Sequence, residues 1–366
     1  MRKILSVLLI AVLALSLCAC GGTGKDEADP NGTRIIVDAL GREVEIPNKV
    51  ETIAPLGNAP RMLTYLGVQD RFVTITPSDI NETPFMAYGW AYRDQWADLP
   101  IGASGGYGVF HPEVLIEAAP DVILCTYEAD IVEDIASQTG LPVVAVAQGT
   151  LFGEDYEEAL RIFADVCGVP ERAEALIAYI HECLDDLSAR CATVPEEERP
   201  LVLGAAATFR GGHGMNGVYS GIPVLQALNA NDAAAGIEKE SHSVGVEVDL
   251  EQILAWDPDF IFLDAGNMDL VRAEYAENPS FFEHLKAFNE GRAFVWANST
   301  SNYTNVEIPL VNCYYVGKLL YPEAFADVDF DAKAAEIFDF FLGGRGEEYL
   351  SVLRGAGAYQ EAVLGQ

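Results

Sequence analysis

The chain has 366 residues, of which 22 are Lys or Arg and 56 are Asp or Glu, so its formal net charge is −34. A charge of this sign argues against nucleic-acid binding, because contacts to phosphates require a basic surface. Half of the residues are apolar and 10% are aromatic, which argues against a disordered chain. The one long apolar segment lies at the N-terminus, which excludes a polytopic membrane protein.

The first twenty residues have the pattern of a bacterial export signal. A short basic start precedes an apolar run over residues 4–17 that is too short to span a bilayer comfortably. The sequence Leu17-Cys18-Ala19-Cys20 resembles the bacterial lipoprotein box, although Ala or Ser is commoner than Cys at position 18. The resemblance implies a signal peptide over residues 1–19, lipidation of Cys20 and a flexible, lipid-anchored tether over residues 20–33. The alternative is an ordinary cleaved signal with incidental cysteines.

Two copies of an α/β unit follow, at residues 113–124 and 251–262. In each copy an amphipathic helix ends before a Pro-Asp pair, Pro120-Asp121 or Pro258-Asp259, because Pro cannot continue the helix. A short apolar run then predicts a strand that is buried on both faces, as in a parallel sheet. The repeat therefore predicts two similar lobes.

The predicted fold is α/β, with two Rossmann-like lobes, each a mostly parallel sheet flanked by helices, joined by one long rigid helix. The N-terminal lobe spans residues 34–168 and opens with a hairpin that turns near Gly41. The linker helix spans residues 169–194, where apolar residues recur at three- and four-residue steps. Residues 195–366 form the C-terminal lobe with its C-terminal helices. Five cysteines without CxxC spacing are expected to be small buried hydrophobic residues: Cys125, Cys167, Cys183, Cys191 and Cys313.

Candidate ligand-binding residues lie in loops beyond the carboxyl ends of the predicted strands, where open α/β sheets bind ligands. In the order of the chain they are Asn58, Tyr88, Trp90, Tyr107, Tyr127, Arg210, His213, Asn216, Tyr219, Asp264, Asn298 and Tyr303. Arg210 can pair with an oxyanion through two hydrogen bonds, although it could pair with Asp264 instead. His213 can ligate a metal or hydrogen-bond a ligand, unless it lies in a solvated glycine-rich loop. The aromatic residues can stack on a flat ligand, and about half are expected to pack within the lobes instead.

This order of elements resembles the substrate-binding lipoproteins of ABC importers, in the helical-backbone class that binds iron–siderophores, haem and cobalamin. Within that class it is most similar to the branch that binds iron(III) compounds. The resemblance is carried by residues 38–47, 61–71, both Pro-Asp repeats, 209–216 and 311–322. It implies a monomeric, extracytoplasmic receptor, lipid-anchored to the cell membrane, that binds an iron complex between its lobes and delivers it to a permease and an ATPase. It implies no catalysis and no prosthetic group.

One position departs from that class. A Glu on the outer surface of the first lobe is thought to dock against permease arginines, and Arg61 occupies its place here. Docking through Arg61 is therefore not expected. Glu51 or Glu82 could substitute for that Glu, and the sequence does not choose between them.

Other functions are compatible with parts of the sequence. A receptor of the same fold could bind cobalamin or another corrinoid, or an oxyanion or bare metal ion, although five scattered His residues do not suit a metal-ion site. Ser104 lies in a GxSxG sequence, which is found in serine hydrolases, but a nucleophile elbow requires a strand directly before it and a helix directly after it. A surface adhesin is disfavoured, because the two-lobe repeat builds a cleft.

Overall fold

The structure is a computed structural model that describes residues 29, 32–104, 107–240, 243–302 and 305–365. The predicted signal peptide, Cys20, most of the predicted tether and the candidate Tyr303 lie outside these residues. Within the described ranges, no helix combines the length and the apolar character needed to cross a bilayer.

The first lobe is built on a three-stranded parallel sheet. A hairpin of β1 (Thr33–Val37) and β2 (Glu43–Pro47) comes first, with Thr33 opposite Pro47. The sheet then consists of β3 (Ile53–Leu56), β4 (Val122–Cys125) and β5 (Val143–Ala145), in that order and with every residue buried. Its helices are α1 (Ala59–Tyr65), α2 (Ala87–Trp96), α3 (Pro112–Ala118), α4 (Ala129–Thr139) and α5 (Glu154–Cys167). The predicted hairpin and parallel sheet are confirmed.

A single long helix, α6 (Pro170–Cys191), follows the first lobe. Its buried face consists of Ala173, Leu176, Ile177, Ile180, Cys183, Leu187 and Cys191. Six of these seven residues belong to the apolar stripe that the sequence predicts; the predicted stripe has Leu184, which is half-buried, in place of Cys183. The periodicity therefore identified the helix and most of the face that packs. The five cysteines outside the N-terminal segment are all free and buried, as predicted.

The second lobe has a larger sheet of mixed direction. Its strands are β6 (Leu201–Ala205), β7 (Gly217–Tyr219), β8 (Asn231–Asp232), β9 (Gly245–Glu247), β10 (Phe260–Asp264), β11 (Ala293–Trp296) and β12 (Gln360–Glu361). The order is β12-β11-β10-β6-β7-β9, and β8 pairs with β6. The strands β8, β6, β10 and β11 run parallel, whereas β7, β9 and β12 are antiparallel to their neighbours. The sequence predicted β6, β10 and β11 of the parallel part, but neither β8 nor the antiparallel strands.

Eight further helices lie in the described part of the second lobe. They are α7 (Pro223–Ala227), α8 (Leu250–Trp256), α9 (Met268–Glu277), α10 (Pro279–Glu283), α11 (Lys286–Asn289), α12 (Glu307–Leu320), α13 (Phe330–Leu342) and α14 (Gly346–Gly355). The last two reach back to the first lobe. The rings of Tyr65 and Phe341 pack edge to face with their centroids 5.0 Å apart, and Tyr349 Oη donates a hydrogen bond of 2.9 Å to the Pro84 carbonyl. The C-terminal helices therefore join the lobes alongside α6.

The Asp of each Pro-Asp repeat accepts hydrogen bonds from backbone amides at or just before the start of a neighbouring strand. Asp121 Oδ2 accepts hydrogen bonds from the Glu51 and Thr52 amides, at 2.7 and 2.9 Å, just before β3. Asp259 Oδ2 accepts a hydrogen bond of 2.7 Å from the Leu201 amide at the start of β6. A carboxylate at this position therefore sets the register between the repeat strand and the first strand of each lobe.

Replacing Asp121 with Ala should lower the free energy of unfolding by about 1–3 kcal/mol, because two strand amides lose their acceptor. Urea denaturation followed by circular dichroism measures this change. The exposed Asp98 provides a control, since Asp98→Ala should change stability by less than about 0.5 kcal/mol. Equal stability of Asp121→Ala and Asp98→Ala would show that the hydrogen bonds to the repeat Asp do not stabilise the strand.

Candidate ligand-binding site

A cavity of about 920 Å³ lies between the two lobes. The first lobe lines it with residues that follow β4 and β5, among them Thr126, Tyr127 and Gln148. The second lobe lines it with Tyr219 at the end of β7 and with Trp296 at the end of β11. All five residues follow or end a strand, and four of them do so at parallel strands, as the carboxyl-end rule predicts; Tyr219 ends the antiparallel strand β7. Both lobes therefore contribute to one site.

The first-lobe wall is aromatic and closely packed behind its surface. The rings of Tyr107 and Tyr127 meet edge to face with their centroids 5.2 Å apart, and Tyr107 is 55% exposed. Thr126 Oγ1 accepts a hydrogen bond of 2.8 Å from the amide of Asn58. Gly57 has a φ of +66°, and a Cβ there would lie 2.6 Å from Thr126 Oγ1, so the loop after β3 requires glycine. Asn58 thus supports the wall from behind.

The second-lobe wall rests on the buried carboxylate of Asp264. Its Oδ2 accepts hydrogen bonds from Tyr219 Oη at 2.5 Å, Asn298 Nδ2 at 2.7 Å and Thr208 Oγ1 at 3.2 Å, and its Oδ1 accepts one of 2.8 Å from the Gly266 amide. Burial raises the pKa of Asp264 to about 6, and these hydrogen bonds oppose the rise. Of this cluster only Tyr219 lines the cavity, so Asp264 and Asn298 act as positioning residues.

The glycine-rich loop between β6 and β7 lies outside the described lining of this cavity. Thr208 and Gly212 form an antiparallel bridge, which turns Arg210 outward; its side chain is 70% exposed and forms an ion pair with Glu240. The predicted contact between Arg210 and a ligand is not supported by this placement. The alternative partner named for it, Asp264, is fully buried in its own cluster.

His213 and Asn216 lie in the same loop, also away from the cavity. The ring of His213 stacks on Phe209 with centroids 4.0 Å apart, and its Nε2 lies 3.1 Å from Glu247 Oε1. Asn216 lines a separate cavity of about 450 Å³, together with Glu247 and Asp249. In the described part of the chain, no three His, Cys, Asp or Glu side chains converge as a set of metal ligands.

The two aromatic candidates on α2 also lie outside the cavity lining. Tyr88 is 1% exposed, donates a hydrogen bond of 2.6 Å to Asp79 Oδ1 and accepts one of 2.8 Å from Asn302 Nδ2. Trp90 packs against Tyr349, with ring centroids 5.0 Å apart. Both residues therefore contribute to packing, as expected for about half of the aromatic candidates.

Arg61 is fully buried between the lobes, so this position does not lie on an outer surface, where the comparison with the family placed it. Its Nη1 donates a hydrogen bond of 2.5 Å to Asn58 Oδ1, and its Nη2 donates to the carbonyls of Ser301, at 3.1 Å, and Asn302. The guanidinium also lies over the ring of Tyr88, 4.8 Å from its centroid. A charged residue near the start of a helix suggests a surface position, and only tertiary structure reveals the carbonyls that bind this one.

Ser104 forms one contact that is typical of a catalytic serine, but the described residues around it do not form a nucleophile elbow. Its Oγ lies 2.7 Å from His111 Nε2. However, Ala103 pairs with Phe110 in an antiparallel bridge, and α3 begins only after His111. The described residues around Ser104 therefore form a turned-back segment instead of the strand–turn–helix of a nucleophile elbow; Gly105 and Gly106 lie outside them.

Sequence reasoning missed several residues of the cavity wall. Leu40 comes from the hairpin turn, Lys239 from the segment before β9, and Asn312 from the middle of α12. Asn312 carried a usable signal, since a polar residue within an otherwise apolar helix needs a hydrogen-bonding partner. Leu40 lies in the hairpin that the sequence predicts, but no feature of the sequence placed its turn beside the cavity. Lys239 gave no signal, because it lies in a segment that the repeat does not contain.

Comparisons with known proteins agree with this architecture. The chain is 23% identical over 313 residues to the iron-uptake system-binding protein of Bacillus subtilis, covering 81% of this chain and 91% of that one. It is 25% identical over 332 residues to the molybdate-binding protein MolA of Haemophilus influenzae, covering 84% and 90%. A periplasmic solute binding protein of Veillonella parvula has a similar fold, with a TM-score of 0.69 and 20% identity over 90% of this chain and 98% of that chain. Residues 90–300 match the family described as Periplasmic binding protein, and the chain belongs to that family.

Proposed function

We propose that this protein is the substrate-binding lipoprotein of an ABC importer, anchored through Cys20, and that it binds an iron complex between its lobes. The observation that carries the proposal is the cavity of about 920 Å³ with walls from both lobes. Cavities of about 300–1,000 Å³ suit organic ligands of drug size. A ferric siderophore or haem has that size, and the similarity to an iron-uptake protein agrees with this choice.

The cavity also suits a planar or aromatic ligand. Tyr107 and Tyr127 face it from the first lobe, and Tyr219 and Trp296 from the second. Aromatic side chains provide large apolar contact surfaces with few rotatable bonds, so they bind a chelate at a low entropic cost. Cobalamin remains compatible with such walls. A molybdate ion is less suitable, because it would leave most of the volume unfilled.

Tryptophan fluorescence tests the proposal directly. Trp296 lines the cavity, and ferric chelates and haem quench a nearby indole. Titration with ferric siderophores, haemin, cobalamin, free metal ions and molybdate should give saturable quenching with an iron complex. The Trp296→Phe variant should lose most of that quenching while calorimetry still detects binding. If none of these compounds binds, the iron-complex assignment is wrong.

Replacing Tyr127 with Ala should weaken binding of that iron complex by about tenfold to a hundredfold. The expected loss corresponds to about 1.5–3 kcal/mol for the contact surface of one aromatic side chain. Tyr275 is a matched control, because it packs against Phe282 in the second lobe and does not line the cavity. Affinities from calorimetry that fall equally in Tyr127→Ala and Tyr275→Ala would contradict a specific contact.

A further inference from the structure

The described wall of the cavity carries little positive charge. Lys239 is the one basic residue among the described lining residues, whereas Glu128 and Asp155 are both acidic. One positive and two negative side chains leave this wall with a net charge of −1. Arg210, the residue that the sequence predicted for an anionic ligand, pairs with Glu240 on the surface instead.

The charge of Lys239 is already partly engaged by the protein. Its Nζ donates a hydrogen bond to the Ser220 carbonyl, and partial burial lowers the pKa of Lys239. Asp155 is engaged as well, because its carboxylate accepts hydrogen bonds from the Thr150 amide at 2.9 Å and from Thr150 Oγ1 at 3.0 Å. Glu128 remains exposed at the start of α4. The charged side chain of this wall with the fewest hydrogen-bond partners is therefore the negative one of Glu128.

One neutral polar residue of the wall, Asn312, has an amide oxygen without a hydrogen-bond donor in the described part of the chain. Asn312 is 2% exposed and its Nδ2 donates a hydrogen bond of 2.9 Å to the Ala297 carbonyl, which directs the amide oxygen the other way. That oxygen accepts no hydrogen bond from the described residues. This oxygen is itself buried, so it adds a partial negative charge behind the wall and offers no donor to an anionic group of a ligand.

We infer that the bound chelate carries no net negative charge, as in a ferric trihydroxamate, in which three singly charged groups neutralise Fe³⁺. This inference rests on the proposed function and narrows its ligand class. A ferric tris-catecholate retains a large negative charge, and haem carries two carboxylates. Either would place anionic groups against a wall that offers little to pair with them, which costs free energy in a closed site.

Binding of two chelates of different charge tests the inference. The purified full-length protein in mild detergent is titrated with ferrichrome, a neutral ferric trihydroxamate, and with ferric enterobactin, an anionic tris-catecholate, at about 0.15 M salt. Ferrichrome should bind saturably, and ferric enterobactin should bind at least about tenfold more weakly. In the Gln148→Arg variant, which adds a positive charge to an exposed loop of the wall, ferric enterobactin should bind more tightly, whereas the neutral Gln148→Met variant should not show this gain.

The possible failures are distinguishable. If ferric enterobactin, haemin or molybdate binds as tightly as ferrichrome or more tightly, the inference about charge is wrong and the receptor function stands. If ferrichrome, ferric enterobactin, haemin and cobalamin all fail to bind, the chelate receptor itself is contradicted, and the inference fails with it.

Discussion

Replacing Arg61 with Leu should destabilise the protein by about 3–5 kcal/mol, because it breaks a buried charged network that joins the two lobes. The guanidinium binds Asn58 in the first lobe and the Ser301 and Asn302 carbonyls in the second. Removing it takes a hydrogen bond from each of these oxygens, and the Ser301 carbonyl keeps only a longer one of 3.4 Å from Asn305 Nδ2 among the described contacts. It also removes a positive charge that lowers the pKa of the buried Glu307, against the rise that burial causes.

Urea denaturation of Arg61→Leu and Arg61→Lys measures the effect. The Lys variant should lose less stability than the Leu variant, since it keeps the charge but cannot reproduce the geometry of a guanidinium. Arg272→Leu is a suitable control, because Arg272 forms an exposed ion pair with Asp269 and should contribute less than about 1 kcal/mol. A loss in Arg61→Leu no greater than in this control would contradict the interlobe role.

The same network connects stability to the binding site. Ser301 and Asn302 belong to the segment that also supplies Ser299 and Thr300 to the cavity wall. Arg61 therefore holds the second-lobe side of the cavity in place from the first lobe. Arg61→Leu should therefore weaken ligand binding as well as folding, although Arg61 does not line the cavity.

The parts of the fold that could be predicted are those determined by local rules. A Pro-Asp pair between an amphipathic helix and an apolar run predicts that the helix ends before the Pro and that a buried strand follows. The structure has this order at Asp121 and at Asp259. Apolar residues at helical spacing likewise identified α6 and most of its buried face. Strands β7, β8, β9 and β12 were not predicted, because they are only two or three residues long and follow no repeat.

The site could be predicted in part, for a related reason. The carboxyl-end rule located Tyr107, Tyr127 and Tyr219, all of which line the cavity. The rule failed for Arg210, whose loop turns back on itself through the bridge between Thr208 and Gly212. Tight turns of this kind depend on pairing between strands, which composition does not reveal. A glycine-rich loop with a charged residue therefore has the same appearance whether it faces a ligand or water.

The buried carboxylate of Asp264 should make stability depend on pH between about 4 and 6. Its pKa is 3.8 in an unperturbed chain and about 6 in the folded protein, because burial disfavours the charged form. The folded state therefore holds the proton more tightly than the unfolded state. The stabilisation from this proton is fully present below pH 3.8 and is lost as the pH rises through 6, by about 3 kcal/mol in total.

The variant Asp264→Asn removes this titration and tests its sign. Urea unfolding at several pH values should show that the variant gains stability relative to the wild type as the pH rises from about 4 to 7. Asp98→Asn, at an exposed position, should show no such trend. The amide cannot accept hydrogen bonds on both of its terminal atoms, so it should also loosen Tyr219 and weaken ligand binding at every pH. A stability difference between Asp264→Asn and the wild type that does not change with pH would mean that the hydrogen bonds from Tyr219, Asn298 and Gly266 fully offset the burial of the carboxylate.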